Sequence, residues 1–237
     1  MPIINQVVSG SGGSGPTGLY REFQLDANGV LQPNTTTTHI MDFTGMTDVS
    51  EYALAYAYQN NTAISGAVDM SDLTTISGSY ACFYMFYKCR GITSANLSAL
   101  TTISGSYGCG GMFNGCTGIT SANLSALTTI SGSYGCGSMF LGCTGITSAN
   151  LSALTTISGS YGCVGMFQGC TSLATVYIGG TTAIDFGTRT NQFQNMFQNC
   201  TQNIDVYAPA ASQSAIEGLS GYPNFGGTGN VVWHWRS

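Results

Sequence analysis

The chain is short of charge. Of its 237 residues only five are Lys or Arg and ten are Asp or Glu, 6% together, against about a quarter in ordinary globular proteins. With so few cations it is not built for nucleic acid, whose phosphates are met by many Lys and Arg. A 43% apolar content excludes a disordered chain, which is charge-rich and apolar-poor. No run approaches the 18 consecutive apolar residues of a membrane span, so no membrane insertion is expected. Nothing before Arg21 is positively charged and MPIINQVV lacks a continuous apolar stretch, so a secretion signal is also not read. General acids and bases are scarce as well. Between Arg90 and Asp185 there is no charged residue and no histidine, and the two histidines, His39 and His234, lie towards opposite ends. This predicts a protein that is not an enzyme, with no catalytic residue, no cofactor and no resident metal.

What the chain does have is repetition. LTTISGSY begins at Leu73, Leu100, Leu127 and Leu154, a strict period of 27, and the register reaches decayed copies upstream at Met46 and downstream at Thr181. A unit of this length cannot bury its own apolar side, so coils must stack around a common core. In the central copy, Gly118 to Thr144, the residues Ile119, Ala122, Leu124, Leu127 and Ile130 give the spacing IxxAxLxxLxxI of a leucine-rich repeat. The alternation around Ala122 and Leu124 predicts a short strand, parallel to its copies. The glycine-rich remainder predicts a loop with one or two helical turns, placing Cys136, Met139 or Phe140, and Cys143 on one inward face. The fold class expected is thus an α/β repeat solenoid of about seven 27-residue coils.

The unit resembles the BspA-like leucine-rich repeats, whose coils carry an MF-x-G-C signature. It stands here as MFYKC from Met85, MFNGC from Met112, MFLGC from Met139, MFQGC from Met166 and MFQNC from Met196. The segment from Ile204 is similar to the ending of such arrays, a strand followed by a helix beginning near Ser212. The organisation expected is an attachment peptide and Gly/Ser linker (1–15), a capping hairpin around Asn28-Gly29 (16–39), the solenoid (40–208) and a C-terminal helix and strand cap (209–237). The opening MPIINQVV with its linker, the NGVL run and the degenerate coil holding YALAYAY are similar to the start of structural proteins from bacteriophages of gut bacteria. That resemblance implies a tail-fibre or virion-surface protein. Its partners would be other virion or tail proteins and a host-surface protein or glycan, and it would be oligomeric in an assembly. The alternatives are an adhesin on a bacterial cell surface and a subunit of an extracellular lattice or filament, for which the uncharged surface argues.

Three sets of residues are candidates for a role. Residues Ile3, Ile4, Val7 and Val8 form a short apolar peptide isolated by the SGSGGSG linker, suited to joining a partner's sheet. On the strand face Ser94, Asn96 and Ser98, then Ser121, Asn123 and Ser125, then Ser148, Asn150 and Ser152 flank the inward Ala and Leu. The central column is expected to run Asp42, Asp69, Asn96, Asn123, Asn150, Tyr177 and Asp205. Such a ladder suits hydroxyl-rich ligands, and it equally suits side chains that pair with one another. Asp42 and Asp69 would be neighbours, although two carboxylates are few ligands for Ca²⁺. The nine cysteines fall in two columns, expected to be buried thiols acting as small hydrophobes. The TT pairs present one threonine per coil to each side, too few for a flat threonine array.

Overall fold

The computed structural model describes residues 23–25, 31–33, 43, 45–49 and 51–237. Near its start β1 (Phe23–Leu25) and β2 (Leu31–Pro33) pair antiparallel, with Gln24 opposite Gln32. The rest is a parallel β-solenoid of about six turns with coils of about 27 residues and little helix. The sequence period suggested about seven coils. Seven strands enclose six turns, and Asp42, the strand position expected for a further coil, lies outside the described residues.

Each repeating coil has three walls. The first is the longest sheet, formed by β3 (Ser65–Asp69), β5 (Gly91–Asn96), β7 (Ser121–Asn123), β9 (Ser148–Leu151), β11 (Thr175–Ile178), β12 (Ile204–Pro209) and β13 (Val231–Arg236), all parallel in stack order. The second is a narrow sheet of two-residue strands, β4 (Thr75–Ile76), β6 (Thr102–Ile103), β8 (Thr129–Ile130) and β10 (Thr156–Ile157). The double threonine explains that wall. The hydroxyls of Thr101 and Thr128 each donate to the threonine carbonyl one coil back at 3.0 Å, so the first threonine ties coil to coil. The second occupies the strand, where β-branched residues fit.

The third wall corrects the expectation of helical turns. In a helix every N–H would bond four residues back. Here Tyr107, Cys109, Gly111, Phe113 and Gly115 donate their N–H groups to Ser133, Gly135, Gly137, Met139 and Leu141 of the next coil at 2.7–2.9 Å. The residues between them, Gly108, Gly110, Met112, Asn114 and Cys116, donate three residues back at 2.9–3.1 Å. The wall is therefore a run of overlapping turns that also forms an intercoil ladder. Its geometry needs a left-handed residue at every fourth position, met by Tyr107 (φ 54°), Gly111 (φ 59°) and Gly115 (φ 74°). A bulky residue there is strained by about 1–3 kcal/mol. Tyr80, Tyr107, Tyr134 and Tyr161 accept it while stacking ring on ring at 4.6–4.9 Å. The only α-helix among the described residues is α1 (Gln213–Glu217), in the last coil. It follows Ser212 as expected, but the Ser212 hydroxyl does not cap it. That oxygen accepts the Ile184 N–H at 2.7 Å, joining the last coil to the one before.

The inward residues pack as columns. Phe86, Phe113, Phe140 and Phe167 are buried and stack at 5.3–5.8 Å with rings within 7° of parallel. Met112, Met139 and Met166 run beside them, and Ile103, Ile130 and Ile157 line the narrow sheet. At the corner after that sheet the coils touch backbone to backbone. A Cβ on Gly105, Gly132 or Gly159 would collide with the carbonyl of the glycine one coil earlier, so this column has to be glycine.

Candidate functional site

The outer face of the longest sheet carries the candidate ligand-binding side chains. Its register places Asp69 beside Asn96, Asn96 beside Asn123, Asn123 beside Asn150 and Asn150 beside Tyr177, as the 27-residue period predicts. Asp42 lies outside the described residues, as do Ile3, Ile4, Val7, Val8 and His39. Asp205 was expected to follow Tyr177 and does not. It pairs with Thr175, and the residue opposite Tyr177 is Tyr207. The cause is a coil longer by three residues, visible in the 30-residue step from Cys170 to Cys200. Beyond Tyr207 the column continues to His234.

The serines divide in two. Ser94, Ser121 and Ser148 sit within strands, with Ser121 directly beside Ser148. Ser98, Ser125 and Ser152 are not rungs of the ladder, because β5 and β7 end at the asparagine and β9 one residue later. Their backbone N–H groups donate to the Oδ1 atoms of Asn96, Asn123 and Asn150 at 3.0–3.2 Å. Each asparagine thus forms an Asx turn that closes its strand, the local bond that makes Asn and Asp frequent at turns. Asp69 does the same for Ser71 at 3.1 Å and also accepts the Asn96 amide at 3.0 Å. The oxygen half of the ladder is committed to the fold. What it presents outward is its amide nitrogens and the serine hydroxyls.

The face changes character at Tyr177. Tyr177 and Tyr207 stack at 5.0 Å, and Tyr207 and the His234 ring stack at 4.6 Å. The His234 Nε2 lies 2.8 Å from Asp205 Oδ1, both side chains being exposed. The Arg236 guanidinium reaches back 5.6 Å from the Tyr177 ring and donates to the Gly179 carbonyl. The face is therefore an asparagine ladder followed by an aromatic tract bearing one acid, one imidazole and one guanidinium. Sequence reading missed Tyr207, His234 and Arg236 because it set the next rung 28 residues after Tyr177, at Asp205, in a coil that had lengthened to 30. No hydroxyl or thiol nucleophile is hydrogen-bonded to His234 among the described residues.

The cysteines form the two expected columns, nine free and buried thiols, but the columns differ in chemistry. Cys89, Cys116, Cys143, Cys170 and Cys200 each donate to a backbone carbonyl of the preceding coil at 2.9–3.2 Å. Cys82, Cys109, Cys136 and Cys163 fill space as hydrophobes. Burial pushes Cys82 and Cys163 up to about 12 and holds Cys109 and Cys136 well above the usual thiol range. They stay protonated, unlike a nucleophile or a metal ligand, which must ionise. No group of three or more His, Cys, Asp or Glu side chains able to hold a metal occurs among the described residues. No helix among them is long and apolar enough to cross a membrane.

Compared with known proteins, the chain matches no family model, no curated protein and no solved structure.

Proposed function

We propose that the chain is a non-enzymatic display protein: a leucine-rich-repeat solenoid of BspA-like type on a bacteriophage tail or virion surface, held by residues 3–8 and turning its longest sheet toward a host-surface glycan. The observation that carries the reading is that outer face. It is a row of neutral hydrogen-bonding groups that ends in an aromatic tract, on a scaffold with no charged residue between Arg90 and Asp185. Amides and hydroxyls at strand spacing, about 4.8 Å, offer many weak hydrogen bonds to hydroxyl-rich ligands. The solenoid supplies repetition and stiffness, since the middle coils are joined one to the next through the ladders of all three walls. The IxxAxLxxLxxI spacing and the MF-x-x-C signature support the leucine-rich-repeat assignment. The opening peptide and linker support the attachment role.

The test has two arms. Deleting residues 1–8 is expected to leave circular dichroism unchanged and to abolish incorporation into the parent particle. Replacing Tyr177 and Tyr207 together by serine is expected to leave incorporation intact and to remove binding to host cells and to their extracted surface glycans. Normal incorporation of the truncated chain, or unchanged cell binding by the tyrosine double variant, would overturn the corresponding half of the reading.

A further inference from the structure

The last strand leaves two kinds of group uncovered at once. No strand among the described residues lies on the far side of β13, so it forms an open edge of the seven-stranded sheet. In a parallel pair alternate residues turn their backbone groups to opposite sides. The Ile204 N–H bonds the Asn230 carbonyl at 2.8 Å, which fixes the alternation. It turns the backbone of Val231, Trp233 and Trp235 outward, as a template for another strand. The core beneath is also incompletely closed. Phe140 and Phe167 in the middle coils are fully buried, whereas Trp233 and Trp235, stacked at 5.6 Å, are only half-buried. Tyr222 packs beside them at 5.9 Å from Trp233, equally half-buried. An unpaired edge above a half-covered aromatic layer is a site for strand addition.

We infer that the occupant of this edge is the segment Ile3–Val8 of a neighbouring copy, added as an eighth strand. The inference rests on the reading of those residues as an attachment peptide and gives that peptide an acceptor. Ile3–Val8 spans six residues, as β13 does, and it is uncharged; in either register two aliphatic side chains, Ile3 and Val7 or Ile4 and Val8, face Trp233 and Trp235. The SGSGGSG linker behind it supplies reach. The order of the stack suits a neighbour: a copy stacked end to end on β13 brings its own entry end against this edge. The chain enters at the end marked by the Asp48–Thr75 bridge and β3, whereas the open edge lies at the other end, six strand spacings or about 29 Å away. A donor at one end and an acceptor at the other make a head-to-tail contact that propagates into a filament. The nearly uncharged coils between do not repel their neighbours.

Cross-linking tests this. Chains carrying Ile4→Cys, Asn5→Cys or Val7→Cys are mixed with a differently tagged Val232→Cys chain and oxidised; the native thiols are buried and do not compete. The expected result is a mixed dimer for at least one position, rising with concentration and suppressed by a synthetic peptide of residues 1–8. In sedimentation, deleting residues 1–15 should weaken self-association by about tenfold or more, with circular dichroism unchanged. A combined Val7→Cys/Val232→Cys chain that closes only on itself, at every concentration, would assign the edge to the chain's own peptide and overturn the inference. So would the absence of any cross-link. If the truncated chain fails to join its particle while no cross-link ever forms, the attachment reading stands and the edge as its acceptor falls.

Discussion

The two large walls of the solenoid are built on opposite terms. In the sheet wall the ladder is made by backbone, and the outward side chains are exchangeable: Asp69, Asn96, Asn123, Asn150, Tyr177, Tyr207 and His234 occupy one column without disturbing the pairing. In the turn wall almost every side chain is constrained, by a left-handed backbone at Tyr134, by burial at Cys136, Met139 and Phe140, and by a carbonyl partner at Cys143. A repeat protein can therefore vary its sheet face while its turn wall stays fixed. That division leaves the first wall free to vary and places stability on the second.

The largest expected asymmetry is in response to alkali, because the thiols all belong to the turn wall. A thiol in the unfolded chain ionises near pH 8.5. The wholly buried Cys82, Cys109, Cys136 and Cys163 ionise well above that, because burial disfavours the thiolate. Below about pH 8.5 both states hold the protons and the stabilisation is complete. Above it the unfolded chain releases protons the folded chain keeps, so stability falls with rising pH, up to the folded values. One unit above the unfolded value, these four thiols together cost roughly 5 kcal/mol. Urea denaturation at pH 7, 8.5 and 9.5 measures it, and a flat profile would show that the thiols are not buried.

Next comes the aromatic column. Phe140→Ala in a middle coil should cost about 3–5 kcal/mol and weaken both neighbouring coils, since its ring stacks on Phe113 and Phe167. Ser121→Ala, on the sheet face of the same coil, should stay within about 0.5 kcal/mol. Equal thermal shifts in the two variants would erase the difference between the walls.

How far this was legible from sequence follows the same division. The strand wall obeys period 2 and period 27, both local signals, so its place, direction and inward residues could be read from Ala122, Leu124 and Leu127. The turn wall's burial was readable from Cys136, Phe140 and Cys143, but its conformation was not. Cysteine and phenylalanine at helical spacing satisfy either a helix or a run of turns. What decides between them is where the Tyr134 and Cys136 N–H groups go, and they go to Ser160 and Gly162 in the next coil. No local pattern carries that. The column error at Asp205 is of another kind, since the lengthened coil was written in the Cys170–Cys200 spacing and would have moved the rung to Tyr207. The turn role of Ser98, Ser125 and Ser152 was also in principle readable, from an asparagine two residues before each.

The two cysteine columns sharpen the comparison within the turn wall. Cys143→Ser retains a donor for the Phe113 carbonyl and should change stability little. Cys136→Ser places a hydroxyl where the thiol packs as a hydrophobe, and should cost about 1–3 kcal/mol for an unsatisfied polar group. Chemical denaturation of the two variants side by side is the measurement. The reverse order would mean that the carbonyl contact is not a hydrogen bond.

The smallest effect is the one that separates structure from binding on the sheet face. Asn123 uses Oδ1 to hold the Ser125 N–H at 3.2 Å, and its Nδ2 projects from the face with no partner among the described residues. Asn123→Ala removes the turn bond and should cost about 1 kcal/mol, the usual net worth of one hydrogen bond. Asn123→Asp keeps an acceptor at the same place, so it should recover that loss. It also replaces the outward amide donor by a carboxylate oxygen, which accepts hydrogen bonds but donates none. If the ladder serves only the fold, Asp is equivalent to Asn in every assay. If its amides meet a hydroxyl-rich ligand, the Asp variant folds like the parent and binds host cells less well, and a third variant at Asn150 should add to the loss without adding to the instability. Measuring melting temperature and cell binding on the same three proteins decides between these outcomes.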